Sequence, residues 1–203
     1  ALAVAIEGWL DTMLAPLASL RRLELASTAH DAGPELRALL IRLVDRGGVL
    51  ERVGSGIDGL GKGQRTALAR LGVRVGTLDL FLREMLRAPA IQAWQALGAL
   101  PGPGVRPLTS DVPSPALASA MPPVVSITGK APCPPGYRRL GKQGLRVDLA
   151  EKLLRDAHAV RLAAGRRPFA LDPGKAISMG LATPAFAHLL RLGGFHAIVP
   201  RPL

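Results

Sequence analysis

The chain has 203 residues, long enough for one or two compact domains with a real core. It is 48% hydrophobic but only 3% aromatic, with Ala and Leu supplying most of the apolar mass; this favours close helix packing over sheets, which prefer branched and aromatic residues. The formal charge of +11 is uneven: residues 1–100 hold 12 Lys+Arg against 10 Asp+Glu, whereas residues 101–203 hold 14 against 5, a bias that either points to a polyanion partner such as nucleic acid or reflects an Arg-rich, GC-rich genome.

The opening ALAVAIEGWLD has no basic n-region and is interrupted by Glu7 and Asp11, so it reads as a helix of a longer chain and not as a signal peptide. Residues 2–26 are amphipathic, with Ile6, Trp9, Leu10, Met13, Leu14 and Leu17 at helical spacing and Pro16 placed to split the run. Gly33-Pro34 opens a cleaner helix, in which Leu36, Leu39, Leu40, Leu43 and Val44 form one face and Gly47-Gly48 the stop.

Residues 54–64 read GSGIDGLGKGQ, so Gly56, Gly61 and Lys62 match the spacing of a phosphate-binding loop. Gly63 stands where that loop needs a hydroxyl for Mg²⁺, and no strand-like run precedes it. The overlapping Gly54-x-Gly56-x-x-Gly59 spacing fails as a dinucleotide loop for the same lack of a strand. A Gly-rich turn before a short basic helix, Gln64 to Leu71, is the expectation.

Thr77 to Leu97 carries an apolar stripe read as helical: Leu78, Phe81, Leu82, Met85 and Leu86, then Ile91, Trp94 and Leu97 after Pro89. Residues 98–136 are rich in proline and poor in charge, a connector without helical period. Two uncharged stretches, 88–105 and 112–129, are broken by Pro and Gly and are unconvincing as membrane spans. Cys133 is the only cysteine, which excludes an intrachain disulfide or a cysteine-based zinc cluster and fits a reducing, cytoplasmic setting. His30, His158, His188 and His196 share no ligand spacing.

Beyond Tyr137, the strings 137–140 and 145–147 flank Gly141-Lys142-Gln143-Gly144, a short hairpin signal. Asp148 is placed to cap a helix to about Ala164, buried through Leu149, Leu153, Ala157, Val160 and Ala164. Asp172-Pro173 and Thr183-Pro184 imply two short helices, 173–179 and 184–192, around Gly180. Their pairing resembles a helix-turn-helix, but the second offers only His188 and Arg191 to base edges, so a structural hairpin is the better reading.

The strongest basic patch comprises Arg138, Arg139, Lys142 and Arg146, with Lys152 and Arg155 on the following helix and Tyr137 placed to stack on a base. Arg65, Arg70 and Arg74 are second-rank cations. A solvated basic face is the alternative. Asp148 and Glu151 lie three apart, a spacing common in first turns of helices, and no constellation argues for an active site.

Several segments in order complete the reading: Trp9-Leu10 with Ala15-Pro16-Leu17, RTALARLGVRVGTLDLFLREMLRAPA (65–90), PLTS (107–110), GYRRLGKQGLRVDLAEKL (136–153) and ISMGLATPAFAHLLRLGGFHAI (177–198). The series resembles the C-terminal region of bacterial helicases related to the mitochondrial degradosome RNA helicase, as found in alphaproteobacteria. That resemblance implies a mainly helical module packed on two upstream motor domains, framing a nucleic-acid channel. ATP and Mg²⁺ belong to the motor, whose motifs this chain lacks, so no ATPase residue carries over. Where the family runs more like Leu-Pro-x-Leu-Leu-Lys-Pro, this chain has Leu82-Arg83-Glu84-Met85-Leu86-Arg87-Ala88-Pro89.

The expected architecture is all-α: a helical bundle over 1–97, a Pro/Gly-rich connector over 98–136 and a small basic helical module over 137–203, with room for one short β-hairpin. The expected role is a non-catalytic accessory region that contacts RNA or DNA and has no membrane partner. The alternative is a scaffold docking a nuclease or another degradosome partner.

Overall fold

A computed structural model describes residues 12, 14–29, 33–99, 121–165 and 167–197. Ile6, Trp9, Leu10 and Met13 of the expected amphipathic segment 2–26, the middle of the connector, His30 and the 107–110 segment lie outside these residues. The chain divides into two compact units: Ala1–Leu50 with Ser55–Arg74 and Leu80–Met121, and Glu51–Gly54 with Val75–Asp79 and Pro122–Leu203. Two short segments from the first half of the sequence therefore group with the second unit.

In the first unit a 3-10 turn at Ala15–Leu17, where Pro16 interrupts the amphipathic run, is followed by α1 (Ala18–Thr28). Helix α2 (Pro34–Asp45) starts on Pro34 and buries Leu36, Leu39, Leu40 and Leu43, as its stripe predicts. It stops in a Schellman arrangement: Gly48 N–H donates to the Leu43 carbonyl (2.7 Å) and Gly47 N–H to that of Val44 (3.0 Å), with both glycines at positive φ (82° and 65°). Gly47 is doubly constrained, because a Cβ there would lie 2.6 Å from the Trp94 indole nitrogen. Next come β1 (Val49–Glu51), a 3-10 turn at Ile57–Gly59, α3 (Lys62–Arg70), β2 (Val73–Val75) and β3 (Asp79–Leu82). A 3-10 turn at Arg83–Leu86 leads into α4 (Ala88–Ala99). Leu20 and Leu23 of α1, the leucines of α2, Leu68, Leu80, Leu82 and Met85 make one core.

The second unit holds β4 (Val124–Ser126), β5 (Tyr137–Leu140), β6 (Gln143–Arg146), α5 (Val147–Ala164), α6 (Gly174–Ser178) and α7 (Thr183–Leu192). Strand β6 is central and antiparallel to both neighbours, pairing Val124 with Leu145 and Tyr137 with Arg146. Gly141, at φ 70°, takes the first position of the two-residue β5–β6 turn, and Lys142 takes the second at negative φ. Leu140, Leu145, Leu153, Leu154, Phe186 and Leu189 form its core. Among the described residues, no helix is long and apolar enough to cross a membrane.

Several expectations are corrected. The fold is not all-α: among the described residues six strands form two three-stranded sheets, ordered β1-β3-β2 and β4-β6-β5. Bonds from Arg52 N–H to the Leu78 carbonyl and from Leu82 N–H to that of Gly48 make β1 and β3 antiparallel. The stripe from Leu78 to Leu86 is strand and 3-10 turn, not helix. All four residues of β3 are buried, and a strand covered on both faces lacks the alternation that separates it from a buried helix. Strand β4 lies inside the expected connector.

On α5 the buried positions are Val147, Ala150, Glu151, Leu153, Leu154 and Ala157; Val160 is exposed, so the inward face is rotated from the predicted one and ends two turns early. Neither Asp148 nor Thr183 caps its helix by a side-chain bond, whereas Asp172 accepts a bond from Gly174 N–H (2.9 Å).

Candidate nucleic-acid interface

The basic cluster sits on a hairpin, and the hairpin's pleat decides its geometry. Successive side chains of a strand point to opposite faces. Tyr137 and Arg139 therefore share one face of β5, while Arg138 belongs to the other.

On its own face Arg138 meets acids that are distant in sequence. Its Nε and Nη2 donate to the two carboxylate oxygens of Asp79 (2.8 and 2.7 Å), and Nη2 also reaches the Leu78 carbonyl (3.2 Å). Glu51 adds a longer ion pair at 3.5 Å. The pair is nearly dry, with side-chain exposures of 13% for Arg138 and 4% for Asp79. Burial works against the guanidinium's charge, but the Asp79 hydrogen bond and the surrounding carboxylates outweigh it and raise its pKa.

Glu151, on the buried face of α5, completes this region. Its carboxylate accepts from three consecutive backbone N–H groups: Oε2 from Thr77, and Oε1 from Leu78 (2.7 Å) and Asp79 (3.0 Å). A Cβ on Gly76 would collide with that carboxylate. The segment 76–79 is thus gripped twice within the second unit, by Glu151 through its backbone and by Arg138 through Asp79. Arg52 adds a third tie, its guanidinium donating to the Gly76 carbonyl at 3.1 Å.

The other predicted residues fall into two groups. Arg146 forms a two-point pair with Asp148 (2.7 and 3.1 Å), so its charge is matched within the unit. Tyr137 stands opposite Arg146 and donates its hydroxyl to the Pro122 carbonyl (2.8 Å). Burial pushes the phenol's pKa up, with Arg146 opposing and Asp148 and Cys133 adding to it.

Arg139 is exposed; its guanidinium is held by the carbonyls of Gly129, Ala131 and Gly141, and no carboxylate pairs with it. Lys142, at the hairpin tip, and Lys152 and Arg155, three apart on α5, are exposed. Among the described residues none of these four cations forms an ion pair. The neighbouring Asp156 is held by Lys175 (2.8 Å), whose hydrogen bond lowers the acid's pKa.

The structure therefore separates what the sequence grouped. Arg138 and Arg146 are tied to Asp79 and Asp148, and the Tyr137 hydroxyl is engaged by the Pro122 carbonyl. Arg139, Lys142, Lys152 and Arg155 keep unmatched charge. Glu151 and Asp79 were missed as organisers of the region. For Glu151 the predicted apolar face of the helix (Leu149, Leu153, Ala157) left it on the opposite side, and its partners lie more than 70 residues away.

Among the second-rank cations, Arg65 donates to the Asp58 and Leu60 carbonyls, and Arg70 and Arg74 are exposed. Contrary to expectation, β1 does precede the Gly-rich loop, so a strand, a loop and a helix follow one another there. It still does not make a phosphate-binding loop. Its strand sits in an antiparallel sheet, Gly63 offers no hydroxyl, and the Gly61 N–H at the start of α3 is satisfied by Gln64 Oε1 (3.0 Å). A shallow, mainly apolar depression of about 550 Å³ lies beside it, lined by Leu60, Lys62, Arg65, Thr66 and Ala69.

No family model matches this chain, and it has no significant match among curated proteins or among solved structures.

Proposed function

We propose that this chain is a non-catalytic C-terminal accessory region of an ATP-dependent RNA/DNA helicase, contacting nucleic acid and packing on motor domains of the same protein. The observation that carries the nucleic-acid part is a group of exposed cations without ion-pair partners on the β5–β6 hairpin and the first half of α5: Arg139, Lys142, Lys152 and Arg155. Such cations neutralise phosphates and release counterions, which gives affinity without sequence preference. The helicase part rests on the ordered sequence resemblance. In this reading ATP and Mg²⁺ are bound by the motor, the setting is the bacterial cytoplasm, and this region holds the strand while the motor translocates it.

A second reading, a scaffold docking a nuclease or another degradosome partner, is favoured by the last turns of α5, where Val160 is 41% and Leu162 78% exposed.

Fluorescence anisotropy with a labelled single-stranded RNA, titrated from about 50 to 200 mM salt, separates the two. Four phosphate contacts give a log–log slope near −3 for a single strand, a loss of roughly fiftyfold across that range. No binding at the lowest salt overturns the nucleic-acid reading and leaves the scaffold.

A further inference from the structure

We infer that Lys130 is a further phosphate-binding cation and that Arg139 is the residue that positions it beside Lys142, an inference that rests on the nucleic-acid reading above and adds a site at the tip of the β5–β6 hairpin.

Lys130 lies on the loop after β4, and one side chain ties that loop to the hairpin. Residues 128–131 make a tight turn closed by Ala131 N–H on the Thr128 carbonyl (3.2 Å), with Gly129, at φ 56°, and Lys130 as its central pair. The Arg139 guanidinium holds the carbonyls on both sides of Lys130: Nη2 donates to Gly129 (2.7 Å) and Nη1 to Ala131 (2.7 Å). Its Nε donates to the carbonyl of Gly141, the residue before Lys142, at 3.2 Å. The backbone adds a second tie, from Ile127 N–H to the Lys142 carbonyl (2.8 Å). The two lysines are thus carried on two turns that a single planar fork holds side by side.

Lys130, Arg139 and Lys142 are all exposed, and among the described residues none of them forms an ion pair. The carbonyls satisfy three N–H groups of Arg139 without cancelling its charge. A guanidinium has five such groups, so one on Nη1 and one on Nη2 remain for a ligand. Like charges held together by backbone hydrogen bonds repel one another, and an anion relieves that repulsion. A phosphate supplies the oxygens that ammonium and guanidinium groups bind. Arg167 and Arg191 are exposed as well, but among the described residues neither side chain is hydrogen-bonded to the hairpin, so they lack this placement.

The test uses the full chain, a labelled oligo-U RNA and two substitutions at exposed positions, made singly and together: Lys130→Gln and Arg139→Lys. Lys130→Gln is expected to flatten the log–log salt slope by about 0.7 and to weaken binding at about 50 mM salt roughly eightfold, with the urea midpoint read at Tyr137 unchanged. Arg139→Lys keeps the charge but gives up the fork that reaches three carbonyls. In that background Lys130→Gln is expected to cost less than about twofold, because Lys130 is no longer held at the site. Wild-type slope and affinity in the Lys130→Gln variant overturn the inference whether or not Arg139→Lys folds. An equal cost of Lys130→Gln in both backgrounds overturns it as well, since Lys130 would then act independently of Arg139. Either result leaves the nucleic-acid reading intact, whereas no RNA binding by the wild-type chain overturns both.

Discussion

Replacing Glu151 tests the most unusual feature of the second unit. The side chain is 4% exposed, and its carboxylate satisfies the N–H groups of Thr77, Leu78 and Asp79. Glu151→Ala orphans all three donors. Thr77 is exposed and recovers a water partner, but Asp79 is buried and Leu78 half-buried. At about 1–3 kcal/mol for each donor left unsatisfied, the loss comes to about 3–4 kcal/mol. Glu151→Gln keeps one oxygen for Leu78 and Asp79 but turns an amide NH₂ toward Thr77, for a loss of about 1–2 kcal/mol. Gly76→Ala reaches the same end from the other side, since its Cβ displaces the carboxylate. Tyr137, the only tyrosine in the chain, reports unfolding of this unit in urea. With a slope near 2 kcal/mol per molar, the alanine variant shifts the midpoint by about 1.5–2 M. The backbone amides of Leu78 and Asp79 exchange with deuterium roughly a hundredfold faster in that variant. If both Glu151 variants unfold at the wild-type midpoint with unchanged exchange, the grip on 76–79 contributes nothing and the reasoning fails.

Three further outcomes follow from the same geometry. Arg138→Ala leaves Asp79 buried and unpaired and destabilises the unit by about 3–5 kcal/mol, while Arg138→Met combined with Asp79→Leu recovers most of the loss; urea midpoints of both check it, and equal losses contradict it. Burial pushes the Cys133 thiol up, with Arg139 and Arg138 opposing, so iodoacetamide alkylates it more slowly at pH 8 in the folded than in the urea-unfolded chain; equal rates contradict the assignment. Burial and Arg161 push the His158 imidazole down, with Glu151 opposing. Its folded form therefore binds fewer protons than the unfolded one, and its contribution is complete above about pH 6.5 and lost as pH falls below. Melting temperatures at pH 5 and 7 should converge slightly in His158→Gln, and an unchanged gap contradicts that sign.

What the sequence made legible was local. Helix α2 carries its stripe, its starting Pro34 and its terminal Gly47-Gly48 within sixteen residues, and the structure follows them. The β5–β6 hairpin and the pair α6–α7 were likewise signalled by Gly141 and Gly180, both at positive φ. What stayed hidden depends on distant partners. Strand β3 is buried on both faces by segments remote in sequence, so its apolar run passes for helix. Strands β1 and β4 are three residues each and carry too little pattern to stand out. The basic cluster looked continuous because Arg138 and Arg139 are adjacent, yet the pleat sends them to opposite faces, and the acid that claims Arg138 lies 59 residues upstream. The inward face of α5 was misplaced because Glu151, a charged residue, occupies a core position.

The most direct test of the central claim compares salt slopes for single-stranded RNA between the wild-type chain and a variant with Arg139, Lys142, Lys152 and Arg155 all replaced by glutamine. These side chains are largely exposed, so the variant is expected to fold, which the Tyr137 signal verifies. The account predicts that the slope falls from near −3 toward zero and that low-salt affinity drops by at least tenfold. An unchanged slope and affinity in the folded variant would contradict it and remove these four residues from any role in holding nucleic acid.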